Sequence, residues 1–361
     1  MKRFRVGVVG ATGMVGQRLL TLLSDHPWFK TTAVAASPRS AGQAYGQAVA
    51  GRWMMDRVIP ENILEMKVLD ASDVRAISES VDFIFCAVDM PKNETRALEE
   101  AYARAEIPVV SCNSACRLLP DVPMLIPEIN HEHMKVIDPQ RGRLGTRKGF
   151  IAVKPNCSIQ SYVPALTPLR PFGLDKVVVS TYQAVSGAGK KLSGWPEMND
   201  NVIPFIKGEE EKSEREPLKV WGTAGETGIA DSERPVISAQ CVRVPVSDGH
   251  LATVSVSFDE KPSADDILDA WKHWVTLPQQ LDLPSAPKPF LKYFDEEDRP
   301  QTRLDRDEGN GMTITVGRLR EDPVLDYRFI ALSHNTLRGA AGGSVLTAEL
   351  LCKEGWITAD A

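Results

Sequence analysis

Phe4-Arg5-Val6-Gly7-Val8-Val9-Gly10-Ala11-Thr12-Gly13-Met14-Val15-Gly16 is the stretch whose reading decides the fold. A short apolar run, a glycine turn, and helically spaced apolar positions over residues 15–23 predict strand, turn and helix in that order. Gly10, Thr12, Gly13, Met14 and Val15 are then the candidates for a pyrophosphate cradle. Small residues there let backbone N–H groups and the helix N-terminus approach an anion closely. The G-x-x-G-x-x-G spacing is not the commonest dinucleotide form, so its weight rests on its position between a strand and a helix. The competing reading is a plain strand-to-helix turn.

Working outward, residues 32–36, 81–88 and 107–111 read as further strands and 94–104 as a helix. Short apolar runs alternating with helical segments imply an α/β unit, a Rossmann-like parallel sheet covered by helices. After Cys157 the texture changes to longer β-rich stretches at 176–184, 238–246 and 250–258, which imply a mixed sheet in a second, α+β domain. The charge run 207–216 reads as a solvated loop. Residues 339–353 are rich in small side chains and then helical, and are expected to pack back onto the first domain. The expected division is therefore a nucleotide domain at 1–156 and 335–361, and a catalytic and dimerisation domain at 157–334. There is no internal repeat or low-complexity tract.

The 361 residues are 43% hydrophobic and 25% charged, enough for two cores. A net charge of −6 argues against nucleic acid or an anionic membrane as the main partner and leaves a small molecule. No apolar run approaches a membrane span. Six scattered cysteines and no secretory signal at the start imply free thiols in a reducing cytoplasm.

Where an NAD site would place a carboxylate after the second strand, the chain reads Ala36-Ser37-Pro38-Arg39-Ser40. Ser37, Arg39 and Ser40 suit a 2′-phosphate, so NADP is the expected cofactor, with Arg39 as a merely solvated loop residue the bland alternative.

The chemistry is expected at Cys157, in Ala152-Val153-Lys154-Pro155-Asn156-Cys157-Ser158-Ile159-Gln160. A cysteine in a polar turn that opens a helix is placed to attack a carbonyl carbon as thiolate. His250, in Ser247-Asp248-Gly249-His250, is the expected acid/base partner. Together with the nucleotide turn they imply aldehyde oxidation or reduction of an activated acyl group through a thioester. Cys86, Cys241 and Cys352 read as buried thiols in apolar segments. Cys112-x3-Cys116 followed by His131 and His133 has the wrong spacing for a zinc knuckle, and no metal is expected. His26, His273 and His334 have no evident catalytic company.

With Gln183-Ala184-Val185-Ser186-Gly187-Ala188-Gly189, the 207–212 run, Arg243 to His250, and His334-Asn335-Thr336-Leu337-Arg338-Gly339-Ala340-Ala341-Gly342-Gly343 added to these segments, nearly the whole chain resembles the aspartate-semialdehyde dehydrogenase family, in its archaeal and fungal-type branch. The resemblance implies NADPH-dependent formation of aspartate 4-semialdehyde from 4-aspartyl phosphate, reversible with inorganic phosphate, on the route to lysine, methionine and threonine. It implies Cys157 as nucleophile and His250 as the group that takes its proton. Asn156, with the N–H of Cys157 or Ser158, would stabilise the oxyanion. Gln183 would orient the acyl group, and Arg243, expected on one strand with His250, would clamp the α-carboxylate. Glu209 would face the ammonium, and Lys212 and Arg117 the phosphate, with Asn113 in the same substrate-binding segment. Asn335, Ser186, Gly187 and Gly189 would lie on the nicotinamide side. A homodimer or homotetramer is implied. The chain departs from many relatives in Lys190-Lys191 and in Asp89-Met90-Pro91-Lys92-Asn93. Malonyl-CoA reductase resembles the same branch, N-acetyl-glutamyl phosphate reductase is more distant, and a non-catalytic NADPH-binding protein is the alternative from another class.

Overall fold

The computed structural model describes residues 3–359. Strand β1 (Phe4–Val9) is buried on both faces, with Val6 and Val8 in one apolar core and Val9 in another. It pairs in parallel with β2 (Phe29–Ala36) on one side and β4 (Phe83–Cys86) on the other. With β3 (Leu69–Asp70), β5 (Val109–Ser111) and β6 (Ile151–Val153) the sheet order is β3-β2-β1-β4-β5-β6, parallel throughout. This is the doubly wound order, whose direction of winding reverses beside β1 and leaves a crevice at the strand C-termini.

The glycine turn and helix α1 (Met14–Leu23) follow β1 as the sequence predicts. Gly10 sits at φ +89°, and a Cβ there would fall 2.3 Å from the Ala87 carbonyl oxygen; a Cβ on Gly16 would fall 2.2 Å from the Gly10 oxygen. Both glycines let α1 press against the turn. The second strand begins earlier than expected, at Phe29, the buried strand is confined to Phe83–Cys86, and helix α2 runs over Lys92–Arg104.

The second sheet is mixed, in the order β10-β7-β11-β14-β13-β12, and a separate short hairpin is formed by β8 (Thr223–Ala224) and β9 (Ile229–Ala230). Its strands are β7 (Leu174–Gln183), β10 (Val236–Arg243), β11 (His250–Phe258), β12 (Leu291–Phe294), β13 (Ile314–Glu321) and β14 (Tyr327–Ser333). Helix α3 (Ile159–Leu166), every residue of which is buried, packs against β11, β13 and β14. One apolar core thus runs from the first sheet through α3 to the inner face of the second.

Two expectations are corrected. Residues 207–216 are not a solvated loop: they open helix α4 (Glu209–Val220), with Glu209, Ser213, Glu216 and Lys219 buried. Gly208, at φ +72°, turns the chain into it, and Glu209, Glu210 and Glu211 in its first turn favour the positive end of the helix dipole. Arg243 and His250 do not share a strand. Arg243 ends β10 and His250 begins β11, on opposite sides of β7, because Pro245 has no N–H for a ladder and Gly249 turns the chain at φ +96°.

The C-terminal segment forms a π-helical turn (Leu337–Ala341) and helix α5 (Gly342–Lys353). Val345, Leu346, Leu350 and Leu351 join the core beneath β1 and α1, as expected from the sequence. Among the described residues no helix is long and apolar enough to cross a membrane.

Candidate active site

The turn from β6 to α3 carries Cys157, and its shape is set by Asn156. The Asn156 side-chain oxygen accepts from the Ser158 N–H (2.7 Å) and hydroxyl (2.6 Å), while its amide nitrogen donates to both Glu209 carboxylate oxygens at 3.0 Å. The Asn156 N–H donates to Glu216 Oε2 at 2.5 Å. The expected oxyanion role is therefore corrected for two groups: the Ser158 N–H is already engaged, and the Asn156 amide is turned to Glu209. Both bonds satisfy buried polar atoms.

Ninety-three residues apart in sequence, Cys157 Sγ and His250 Nε2 lie 3.5 Å apart. The other ring nitrogen, Nδ1, accepts from the Ala184 N–H at 3.1 Å, which puts the proton of the neutral ring on Nε2, facing the sulfur. Burial, and then the Arg243 charge, push the His250 pKa down to about 3. In this tautomer the neutral ring presents its Nε2–H to Cys157.

Arg243 approaches from the end of β10. Its Nη1 donates to the Ala184 oxygen at 2.7 Å, and among the described residues no carboxylate pairs with it. Gly187 keeps this corner open: a Cβ there would lie 2.9 Å from Arg243 Nη1 and 3.1 Å from His250 Nε2. On the far side a Cβ on Gly339 would come within 2.8 Å of the Cys157 Cβ, so the C-terminal π turn rests directly on the nucleophile turn.

Helix α4 supplies the acidic and basic groups. Glu209 is bonded by Lys212 Nζ at 2.7 Å and by Gln183 Nε2 at 3.2 Å. Burial pushes the Glu209 carboxyl up, and Lys212, Asn156 and Gln183 outweigh it to leave the pKa lowered. Two turns beyond Glu209, Glu216 Oε1 accepts from Arg117 Nη1 at 3.0 Å, and Arg117 Nη2 donates to the Cys112 oxygen. Burial raises the Cys157 thiol pKa and Glu209 adds to it, against the opposing charges of Lys154, Arg117 and Arg243. Asn113 is not brought to this group: its amide donates to Glu99 at 2.9 Å inside the first domain.

At the crevice of the first sheet, the N-cap of α1 is Gly13; no side chain caps it and no acidic residue occupies the first turn. A Cβ on Gly13 would meet only the Gly10 oxygen, at 3.5 Å. The helix end with Thr12, Met14 and Val15 is thus open to an anion, which fits a dinucleotide pyrophosphate. Ser37 and Arg39 are exposed beyond β2 at the same end of the sheet, and Ser40 is buried beneath them. Asn335 ties the nicotinamide-side candidates together, donating to the Ser186 hydroxyl and accepting from the Gly249 N–H. Gly189 follows at φ +68°. Lys190 stands over the Trp195 ring.

Sequence reasoning missed Glu216, Lys154, Lys219 and the close approach of Gly339. The signal for Glu216 was present: Glu209, Ser213 and Glu216 recur at helical spacing inside the charge run, which marks one buried face. His131, His133, Cys112 and Cys116 do not converge. His133 bonds Asn130 and the Gly222 oxygen, and among the described residues no cluster of three or more metal-ligating side chains exists.

Residues 5–137 match the model of the semialdehyde dehydrogenase NAD binding domain, and residues 166–338 that of the semialdehyde dehydrogenase dimerisation domain. The chain is 45% identical to the aspartate-semialdehyde dehydrogenase of Archaeoglobus fulgidus over 98% of its own length and 99% of the relative's. It is 41% identical to that of Aspergillus fumigatus, over 98% of each. The crystal structure of the Candida albicans aspartate semialdehyde dehydrogenase with NADP superposes with a TM-score of 0.88 at 35% identity, covering 99% of this chain and all of that one. On sequence, fold and extent alike, the chain belongs to the aspartate-semialdehyde dehydrogenase family.

Proposed function

We propose that this protein catalyses the reversible, NADP-dependent reductive dephosphorylation of L-4-aspartyl phosphate to L-aspartate 4-semialdehyde, in the biosynthesis of lysine, methionine and threonine. The observation that carries the reading is the 3.5 Å approach of Cys157 Sγ to His250 Nε2, beside Arg243, which has no carboxylate partner among the described residues. Sulfur attacks the acyl carbon, phosphate departs, and a thioester remains on Cys157. His250 Nε2–H donates to the oxygen of the tetrahedral adduct, whose negative charge is the feature of the transition state that a fixed donor stabilises. Arg243 holds the substrate α-carboxylate, for which a planar guanidinium is suited. Glu209, kept ionised by Lys212, receives the α-ammonium. Lys212 and Arg117 receive the phosphate, Gln183 the acyl oxygen, and Asn156 keeps Glu209 aimed at the site.

NADP would be held by the open N-terminus of α1, by Ser37 and Arg39 at its 2′-phosphate, and by Ser186, Gly187, Gly189 and Asn335 at the nicotinamide. The chemistry it supplies when bound is hydride exchange with the acyl carbon carried on Cys157. The proposed division is 1–156 with 335–361 for the nucleotide and 157–334 for catalysis and dimerisation, in a cytoplasmic enzyme whose six cysteines are free. The proposed assembly is a homodimer or a dimer of dimers. The outward face of β7 and β10, with Val178 and Val236 exposed, is its interface.

Cys157→Ala should abolish NADP reduction with aspartate semialdehyde and phosphate while leaving NADPH binding measurable by fluorescence. Turnover surviving that change would refute the assignment. The wild-type reaction should require phosphate; a reaction indifferent to phosphate and driven by CoA would replace the substrate.

A further inference from the structure

Glu99, on the inward face of α2, is wholly buried and takes no part in the chemistry above. Its Oε1 accepts from the Ser111 hydroxyl at 2.5 Å and from Asn113 Nδ2 at 2.9 Å, and the Ser111 hydroxyl oxygen in turn accepts from the Asn113 N–H at 3.0 Å. The thiols of Cys86 and Cys116 stand beside the carboxyl, but its second oxygen, Oε2, is buried without a partner in hydrogen-bond geometry among the described residues. Burial raises the pKa of the group, and a neutral carboxyl suits an oxygen left in that state. An apolar side chain would fill this place at less cost, so the position favours a carboxyl only where an acceptor is needed.

What Glu99 grips is the pair of residues on either side of Cys112. The Cys112 carbonyl oxygen accepts from Arg117 Nη2 at 3.2 Å, while Arg117 Nη1 is given to Glu216. Those bonds use two of the five guanidinium N–H donors. Arg117 is only 6% exposed, and its Nε is buried with no partner among the described residues. A buried guanidinium with donors to spare is suited to an anion. Where those donors point depends on the Cys112 peptide, whose N–H is tied to the Cys86 oxygen at 2.8 Å and whose two neighbours are held by Glu99. The nucleophile turn is held separately, because β5 pairs with β6 as far as Ser111 and Val153 and the Lys154 N–H donates to the Ser111 oxygen.

We infer that Glu99 is a positioning residue for the phosphate site: its Oε1 fixes Ser111 and Asn113, they fix the Cys112 carbonyl, and that carbonyl aims Arg117. Glu99 serves as an acceptor and not as a charge. Asn113, expected from the sequence among the substrate-binding residues, then acts on the phosphate through Arg117 without touching it. The inference rests on the proposed assignment of Arg117 to phosphate, and goes beyond it by naming what holds that arginine from within the first domain.

The test is steady-state NADP reduction with aspartate semialdehyde by full-length variants, the inorganic phosphate concentration being varied. Glu99→Met keeps the bulk and removes the acceptor, and should raise KM for phosphate ~10-fold. Its kcat at saturating phosphate and its KM for aspartate semialdehyde should change by less than about twofold. Glu99→Gln keeps an acceptor oxygen and should return the phosphate KM to near wild type. An unmoved phosphate KM in Glu99→Met overturns the inference, as does an equal rise in Glu99→Gln. A lowered kcat with an unchanged phosphate KM, as partial unfolding would give, also overturns it. Arg117→Met separates the inference from the reading beneath it. If Arg117→Met raises the phosphate KM and Glu99→Met does not, the inference falls and the proposed function stands; if Arg117→Met leaves it unchanged, the Arg117 assignment falls and takes the inference with it. If Glu99→Met does not fold, Ser111→Ala, which removes one donor to Glu99 and the oxygen beneath the Asn113 N–H, is read against the same outcomes.

Discussion

Gly187 shows how little room the site leaves at single positions. Arg243 and His250 close on it from two strands, and the added methyl of Gly187→Ala would lie 2.9 Å from Arg243 Nη1 and 3.1 Å from His250 Nε2, closer than van der Waals contact. Displacing two functional groups by a few tenths of an ångström misaligns them with the reacting carbon. We expect kcat/KM for aspartate semialdehyde to fall by about 10²-fold, with NADPH affinity and melting temperature little changed. A fall of less than about threefold would mean that the corner relaxes freely. At the same scale, Glu216 joins two otherwise independent pieces, the Arg117 guanidinium and the Asn156 N–H, so one carboxylate registers a phosphate ligand against the nucleophile turn.

Among the elements, α4 does most to assemble the site. It is rich in charge yet half buried, because each inward group finds a partner: Glu209 with Lys212 and Asn156, Glu216 with Arg117, Lys219 with three carbonyls. Replacing Lys219 with methionine would leave those carbonyls buried without a donor, and should cost about 2–4 kcal/mol in urea unfolding. A change below about 0.5 kcal/mol would show that water enters and replaces the ammonium. The second sheet carries the other element-scale expectation. Its β7 alternates buried and exposed positions, and Val178 on the open face lies beside Ser238 of β10 while Val236 is 65% exposed. Val178→Glu with Val236→Glu should convert the oligomer toward monomer in sedimentation velocity. Unaltered sedimentation would move the interface elsewhere.

For the whole molecule, the buried histidines set the response to acid. Burial lowers the pKa of His250 to about 3 and of His334 to about 4, and lowers that of His133, against about 6.5 in an unfolded chain. The unfolded chain therefore binds more protons between these values and about 6.5, so this contribution to stability is complete above about pH 6.5 and is lost as the pH falls toward the folded values. Glu99, raised by burial, works in the opposite sense, favouring the folded state on the acid side. The melting temperature should fall from pH 7 to pH 5, before most carboxylates titrate, and the fall should be smaller in His334→Asn. A flat profile over that interval would contradict the neutral histidines.

The order of elements in the first domain was legible in the sequence, since β1, the glycine turn and α1 are fixed by local chemistry: an apolar run, a position needing positive φ, and a period of 3.6. Cys157 was legible too, as a lone cysteine in a polar turn opening a helix. Arg243 and His250 were misplaced on one strand because the breaks at Pro245 and Gly249 were read through; α4 was read as a solvated loop for a different reason. Periodicity reports which side of an element is buried only when the buried side is apolar, and here buried carboxylates and ammonium groups are paid for by partners sixty to a hundred residues away. The tautomer of His250 depends on an N–H from Ala184, and the openness of its corner on Gly187. Local sequence determined the elements and the reactive atom; only tertiary packing, which brings distant donors and charges within a few ångströms, decided what those atoms can do.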